Sequence, residues 1–271
     1  MPRIPVFTRR SRALRICLSI YLGLAFFGAR PAVSAEPPGC DTSALKAARL
    51  GSINDALDIA LDTGEILRLA GIDTVSGSQT ALLQALRAGL PSGSIVQYTA
   101  GNVQDRWGRV AAQLYLPPER AGLPPDWVQG VIVAKGLARI WPEQFANPCW
   151  AALARTEALA RQERRGLWAA GDTAELITDK EKVAAAEGSR SILRGRVIGT
   201  GQGRATIFVN FGRFNSGAAS LRIPRRLAQD LQQAGIDAVQ LRGKSLRIRG
   251  VVTVGKQVFI AITQAEQIEL E

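Results

Sequence analysis

From residue 44 onward the apolar positions fall in short alternating runs separated by turn residues. Around Asp62-Thr63-Gly64 the alternation predicts a β-hairpin, roughly 56–61 with 65–71, because an Asp/Gly turn between alternating runs is a strong local hairpin signal. Residues 79–89, QTALLQALRAG, change period: leucines recur at helical spacing and a glycine stops them. SIVQYTAG and GRVAAQLYL return to strand alternation on either side of NVQDRW, and 127–139 and 148–165 carry two further helical patterns. Three strands, a helix, two strands and two helices predict a small barrel with attached helices.

Residues 170–189 are rich in Ala, Glu, Lys and Asp without alternation, so 171–189 is expected to be a linker with helical character. After it, SILRGRVIGTG, RATIFVNFG and AASLRIP read as strands, RRLAQDLQQAG as a helix, and KSLRIRGVVTVG and KQVFIAITQAEQIEL as two more strands. That is the element order of an OB-fold, a five-stranded barrel with a helix between strands three and four. The expected class is therefore mainly β with helices (α+β). The small barrel with its three helices is expected in 36–170, and a second small, OB-like barrel in 190–271.

The first 35 residues stand apart. Arg3, Arg9, Arg10, Arg12 and Arg15 precede an apolar stretch from Ile16 to Ala29, and Val33-Ser34-Ala35 offers small residues for cleavage. This is the pattern of a secretory signal peptide, and the apolar run is short for a membrane span. Its loss changes the charge picture: 28 basic and 23 acidic residues remain, with 15 against 18 in 36–187 and 13 against 5 in 188–271. Only the second part is basic enough to point to a polyanionic partner.

Two cysteines remain after cleavage, Cys40 and Cys149, and in an oxidising compartment two well-separated cysteines are most simply one disulfide. The chain has no histidine, which excludes Ser-His and Cys-His catalysis, and two cysteines are too few for a zinc site. Chemistry must run on carboxylates, arginines and hard metal ions.

Three motifs, RLAGID, DRWGR and GLARIWP followed by a GLW, occur in order across 44–170. On them the chain resembles the staphylococcal-nuclease-like (thermonuclease-like) family, whose fold is itself an OB-type barrel with three helices. The resemblance implies a phosphodiester-cleaving site. Arg68 and Arg109 would face the phosphoryl oxygens, where developing negative charge needs fixed cations. Asp73 and the Thr74 carbonyl would bind Ca2+, a hard cation that takes oxygen ligands. The metal-binding aspartate of an earlier family motif falls on Leu57, so Asp55 or Asp58 remains as a third ligand, Asp58 only through a shifted or bulged strand. Arg106 and Trp107 would flank bound phosphate and base. The family's general-base glutamate falls on Ser76, and serine without a histidine partner does not replace a carboxylate.

Each of these residues has a plainer reading as well. Arg68 and Arg109 could pair with Asp73 and Asp105, Trp107 could pack the hairpin, and Asp105 could cap the DRWGR turn. In the second barrel, Arg194, Arg196, Arg213, Arg222, Arg242, Arg247 and Arg249 with Phe208 and Phe211 could form a stacking face or simply solvated arginines over a core. The spacing of Phe208 and Phe211 favours the latter, since strand residues three apart face opposite sides. The expected protein is thus extracytoplasmic, with a degenerate Ca2+-dependent nuclease site acting on DNA or RNA. The alternative is a catalytically inactive protein that binds nucleic acid or another polyanion.

Overall fold

The computed structural model of the chain describes residue 40 and residues 42–75, 77–143, 148–213 and 216–271. The expected signal peptide lies outside them. In β1 (Lys46–Ile53) the alternation buries Ala48 and Leu50, and a register shift between Leu50 and Ser52 restores the inward phase at Ile53. β2 (Ile59–Leu61) and β3 (Ile66–Leu69) form the expected antiparallel hairpin, Ile59 opposite Leu67. The short strand β4 (Ile72–Asp73) and helix α1 (Gln79–Gly89) follow, and α1 buries Leu82 and Leu86 on one face. β5 (Ile95–Gln104) pairs with β1, and β6 (Arg109–Leu116) pairs with β5. Parallel pairing of β3 with β6 then closes a five-stranded barrel.

The remaining elements of this half are β7 (Asp126–Trp127), α2 (Val128–Ala134), β8 (Arg139–Ile140) and α3 (Trp150–Gln162). Helix α2 stops well before the expected residue 139, and the reason is Gly136. It adopts φ +64°, and a Cβ there would sit 2.2 Å from the Arg165 carbonyl oxygen. Gly166 mirrors it at φ +49°, and the Leu167 N–H donates to the Gly136 carbonyl at 2.8 Å. The GLAR and GLW glycines thus let two backbones touch where no side chain would fit.

The expected linker is structured. It contributes β9 (Glu175–Leu176), parallel to the strand β10 (Arg190–Arg196), and α4 (Lys180–Ala185), capped by the Asp179 carboxylate at the Lys182 N–H. β10 bends into β11 (Gly199–Gln202) at two consecutive residues that face different neighbours. Val197 N–H donates to Lys244 O and Ile198 N–H to Asn210 O, both at 2.9 Å. β12 (Thr206–Asn210), β13 (Ser220–Pro224), α5 (Ala228–Gln233), β14 (Ser245–Thr253) and β15 (Phe259–Ala261) complete the second barrel, with β13 and β15 parallel. Both barrels share one order, in which strand three lies parallel to strand five, as an OB-type fold requires. The last expected strand is broken in two. Buried Gln267 accepts from the Thr263 and Gln264 N–H groups and turns the chain before β16 (Ile268–Leu270), which pairs with β14.

All described residues belong to one compact unit, and a buried ion-pair network fastens the barrels together. Glu157 of α3, 0 % exposed, binds Arg249 of β14, 1 % exposed, and also accepts from Arg161 at 2.8 Å and from the Ile140 N–H at 2.8 Å. Glu269 of β16 accepts from Arg161 at 2.7 Å and Arg249 at 2.9 Å, and Arg247 pairs with Asp172 and Glu271. Arg247 and Arg249 are therefore structural, buried at 3 % and 1 % exposure, and neither is available to track a nucleic-acid backbone. Phe211 lies in the second core.

The Cys40–Cys149 disulfide forms as expected, with Cα atoms 4.6 Å apart across 109 residues, tying the start of the described chain to α3. A disulfide of this kind belongs to an oxidising compartment. Among the described residues no helix is long and apolar enough to cross a membrane.

Glu157→Gln should lower unfolding free energy by about 1–3 kcal/mol in urea titrations, because buried Arg249 loses one of its two carboxylate partners and keeps Glu269. Replacing Cys40 and Cys149 together by serine should cost about 2–5 kcal/mol, read in the same titration against the oxidised protein.

Candidate anion-binding cleft

The seam that closes the first barrel builds the site. β3 and β6 run parallel with Ile66 opposite Arg109 and Arg68 opposite Ala111, so Arg68 and Arg109 lie on neighbouring strands at the mouth of one cleft. The cleft has a volume of about 430 Å3, and its walls also carry Asp73, Thr74, Trp107, Glu143 and Arg190. Five of the residues expected at a site, Arg68, Arg109, Asp73, Thr74 and Trp107, are thus brought together.

The DRWGR turn works as its composition implies. Asp105 Oδ1 accepts from the Trp107 and Arg109 N–H groups at 2.9 and 3.0 Å, its Oδ2 accepts from Arg109 Nε at 2.8 Å, and Gly108 supplies φ +76°. Desolvation works to raise the Asp105 carboxyl, but these bonds from Arg109 and Trp107 outweigh it and hold the group below its ordinary value. The turn leaves Trp107 59 % exposed, with the Arg106 guanidinium 4.0 Å and the Arg109 guanidinium 4.6 Å from its ring centre. Trp107 is therefore a cation-flanked surface ring and not hairpin packing.

The carboxylates occupy places the motifs did not disclose. Asp58 reaches the cleft through a turn: its N–H donates to Asn54 Oδ1 at 2.9 Å, Leu57 takes φ +66°, and Asp58 Oδ1 accepts from Arg109 Nη1 at 2.9 Å. A tight turn, and not a shifted strand, accounts for its reach. Asp55 points elsewhere, 90 % exposed at its side chain and bound to Arg87 at 3.0 Å, so it is not part of the cleft. Arg68 does not pair with Asp73. It forms a two-pronged pair with Glu143, both bonds 2.8 Å, and Glu143 Oε1 also accepts from the Gly71 N–H at 2.9 Å. Desolvation would raise the Glu143 carboxyl, yet Arg68 and the Gly71 N–H hold it below its ordinary 4.5. The signal for Glu143 was available, since it directly follows the IWP of the third motif.

Asp73 is held by two arginines. β4 pairs with β8 so that Asp73 stands opposite Arg139, whose Nε and Nη2 donate to Oδ2 at 3.0 and 2.7 Å. Arg190 Nη1 donates to Oδ1 at 2.9 Å. Each carboxylate oxygen thus carries a guanidinium, and a hard divalent cation would meet fixed positive charge at either one. Asp58 is likewise engaged by Arg109 and Asn54, and Glu143 by Arg68 and the Gly71 N–H, and among the described residues no group of three acidic, His or Cys side chains is placed to hold a metal ion. The donor set does not fit Ca2+. Ser76, where the family's general base would fall, lies outside the described residues.

Searches of protein-family models and of curated proteins return no match to the chain. What stands is the geometry: a closed barrel with helices, compatible with the nuclease-like fold, that carries an arginine-rich cleft over its closing seam.

Glu143→Gln should release Arg68 and lower stability by about 1–2 kcal/mol, less than for a fully buried pair because Arg68 is a third exposed. The Glu143 carboxyl is depressed, so its contribution is complete above the ordinary value and is lost as pH falls through the lowered one. The difference in melting temperature between wild type and variant should therefore be clear at about pH 7 and shrink towards pH 3.

Proposed function

We propose that this chain is an extracytoplasmic, thermonuclease-like protein whose cleft binds the phosphodiester backbone of DNA or RNA and hydrolyses it slowly or not at all. The observation that carries this reading is one cleft in which Arg68, Arg109, Arg190 and the exposed Trp107 converge while every carboxylate already holds an arginine.

Binding and turnover ask different things of this arrangement. Binding needs fixed N–H donors, and the carboxylates supply the fixing. Arg109 spends Nε on Asp105 and Nη1 on Asp58, so its remaining nitrogen is held in place with little conformational freedom left to lose. A phosphate oxygen fits such a fixed, charged donor, and an unstacked base fits the Trp107 ring. Turnover needs a carboxylate that takes a proton from water. Glu143 offers both oxygens to three N–H donors and is held below the usual range, which makes it a weak base. The third motif's Arg139 holds Asp73 Oδ2, and Arg190 holds its Oδ1.

The compartment follows from the Cys40–Cys149 disulfide together with the signal-peptide pattern at 1–35.

Fluorescence anisotropy with a labelled single-stranded oligonucleotide tests this reading. Affinity should fall with salt at a slope of about −2 on logarithmic axes, three phosphate contacts at about 0.7 each. Release of acid-soluble nucleotides in calcium should not exceed that of an Arg109→Ala control. Absent or salt-insensitive binding contradicts the reading, and brisk calcium-dependent release would restore the nuclease.

A further inference from the structure

The cations of the cleft are unequally committed. Side-chain exposure is 12 % for Arg139, 20 % for Arg109 and 33 % for Arg68, but 53 % for Arg190. Arg190 is also the one that does not belong to the first barrel: it opens β10 of the second, paired with Val251 of β14. Its head is nevertheless fixed. Nη1 donates to Asp73 Oδ1 at 2.9 Å, its own carbonyl accepts from Arg139 Nη2 at 2.9 Å, and the guanidinium stands 5.1 Å from the ring centre of Trp141.

We propose that Arg190 is a direct phosphate ligand: from the second barrel it supplies, beside Asp73, the positive charge that a divalent cation would otherwise supply, so nucleic-acid binding needs both barrels and no metal. The inference rests on the nucleic-acid reading above. Its force comes from three observations. Both Asp73 oxygens already face a guanidinium, Oδ2 that of Arg139 and Oδ1 that of Arg190, so the charge is compensated without a cation. Arg190 spends one nitrogen on that carboxylate and keeps Nε and Nη2, a planar pair of donors with the spacing a phosphate accepts in two-pronged fashion. It lines the same cleft as Arg109 and Trp107, so one strand could meet all three.

A surface salt bridge would make the same Asp73 contact without any role in binding, and the two differ in what the oligonucleotide reports. With the chain from Glu36 onward, single-stranded oligonucleotide binding is measured by anisotropy in a chelator and again in calcium. Wild-type affinity should be the same in both. Arg190→Ala should bind about 5–10-fold more weakly and lose about 0.7 from the salt slope, the signature of one phosphate contact. Arg190→Gln, which keeps a donor for Asp73 but no charge, should lose as much, and it carries the test if the alanine variant fails to fold. Arg155→Ala, an exposed arginine of α3 outside the cleft, should bind as wild type. If both Arg190 variants match wild type in affinity and slope while Arg109→Ala is weakened, this inference falls and the nucleic-acid reading stands. If affinity requires calcium, the inference also falls. If the wild type does not bind, both fall.

Discussion

The rest of the structure depends on the buried pairing of Glu157 with Arg249. Charges with 0 % and 1 % exposure persist only when paired, and Arg249 is held by two carboxylates, Glu157 and Glu269. Glu157 is also the point from which the cleft is set. Its other oxygen accepts the Ile140 N–H at 2.8 Å, which fixes β8, and β8 carries Arg139 to Asp73. Two residues beyond Arg249 on the same strand, Val251 pairs with Arg190 and so sets where that arginine enters. One interface contact thus governs two of the arginines around Asp73. The neighbouring carboxylates respond to acid with a definite sign: burial opposes the charge on Asp172 and Glu269, their arginines more than offset it, and both carboxyls lie below their ordinary 3.8 and 4.5. Their contribution is complete above about pH 4.5 and is lost as pH falls through the lowered values.

Two similar barrels, fastened by charges and by a small apolar cluster of Ala160, Trp168, Ala174 and Ile192, keep separate main cores. Leu193, Leu246 and Ile248 belong to the second, and Leu50, Ile59 and Leu67 to the first. The OB-type order repeats in both, yet among the described residues only the first barrel opens its closing seam to a cleft with paired arginines. The second lends the cleft Arg190 and uses Arg247 and Arg249 to hold itself in position.

The parts of this arrangement that were legible in the sequence are those written locally. Period-two alternation gave the strands of both barrels, leucine spacing gave α1 at Gln79–Gly89, and the Asp105–Gly108 turn followed from residue types alone. Arg68 and Arg109 were legible because a motif fixes their strands and the barrel seam does the rest. Arg190 was not, because it meets Asp73 across 117 residues of chain, and although Glu143 adjoins a motif, no local pattern encodes its pairing with Arg68 across 75 residues. Leu57 misled in a different way. Counted along a regular strand it displaced an acid from the site, whereas its φ of +66° makes a turn that returns Asp58 to Arg109.

On the proposed function, paired carboxylates act as scaffolding for arginines, and metal-assisted hydrolysis has given way to retention of phosphate. That account predicts where nucleic acid lies, and ultraviolet cross-linking of a bromouracil-substituted oligonucleotide to the intact protein, mapped by mass spectrometry, asks this directly. Cross-links should centre on Trp107 and the peptides around it, with further adducts in the segment that holds Arg190. Cross-links confined to the second barrel, around Phe208 and Arg222 and away from Trp107, would contradict the account.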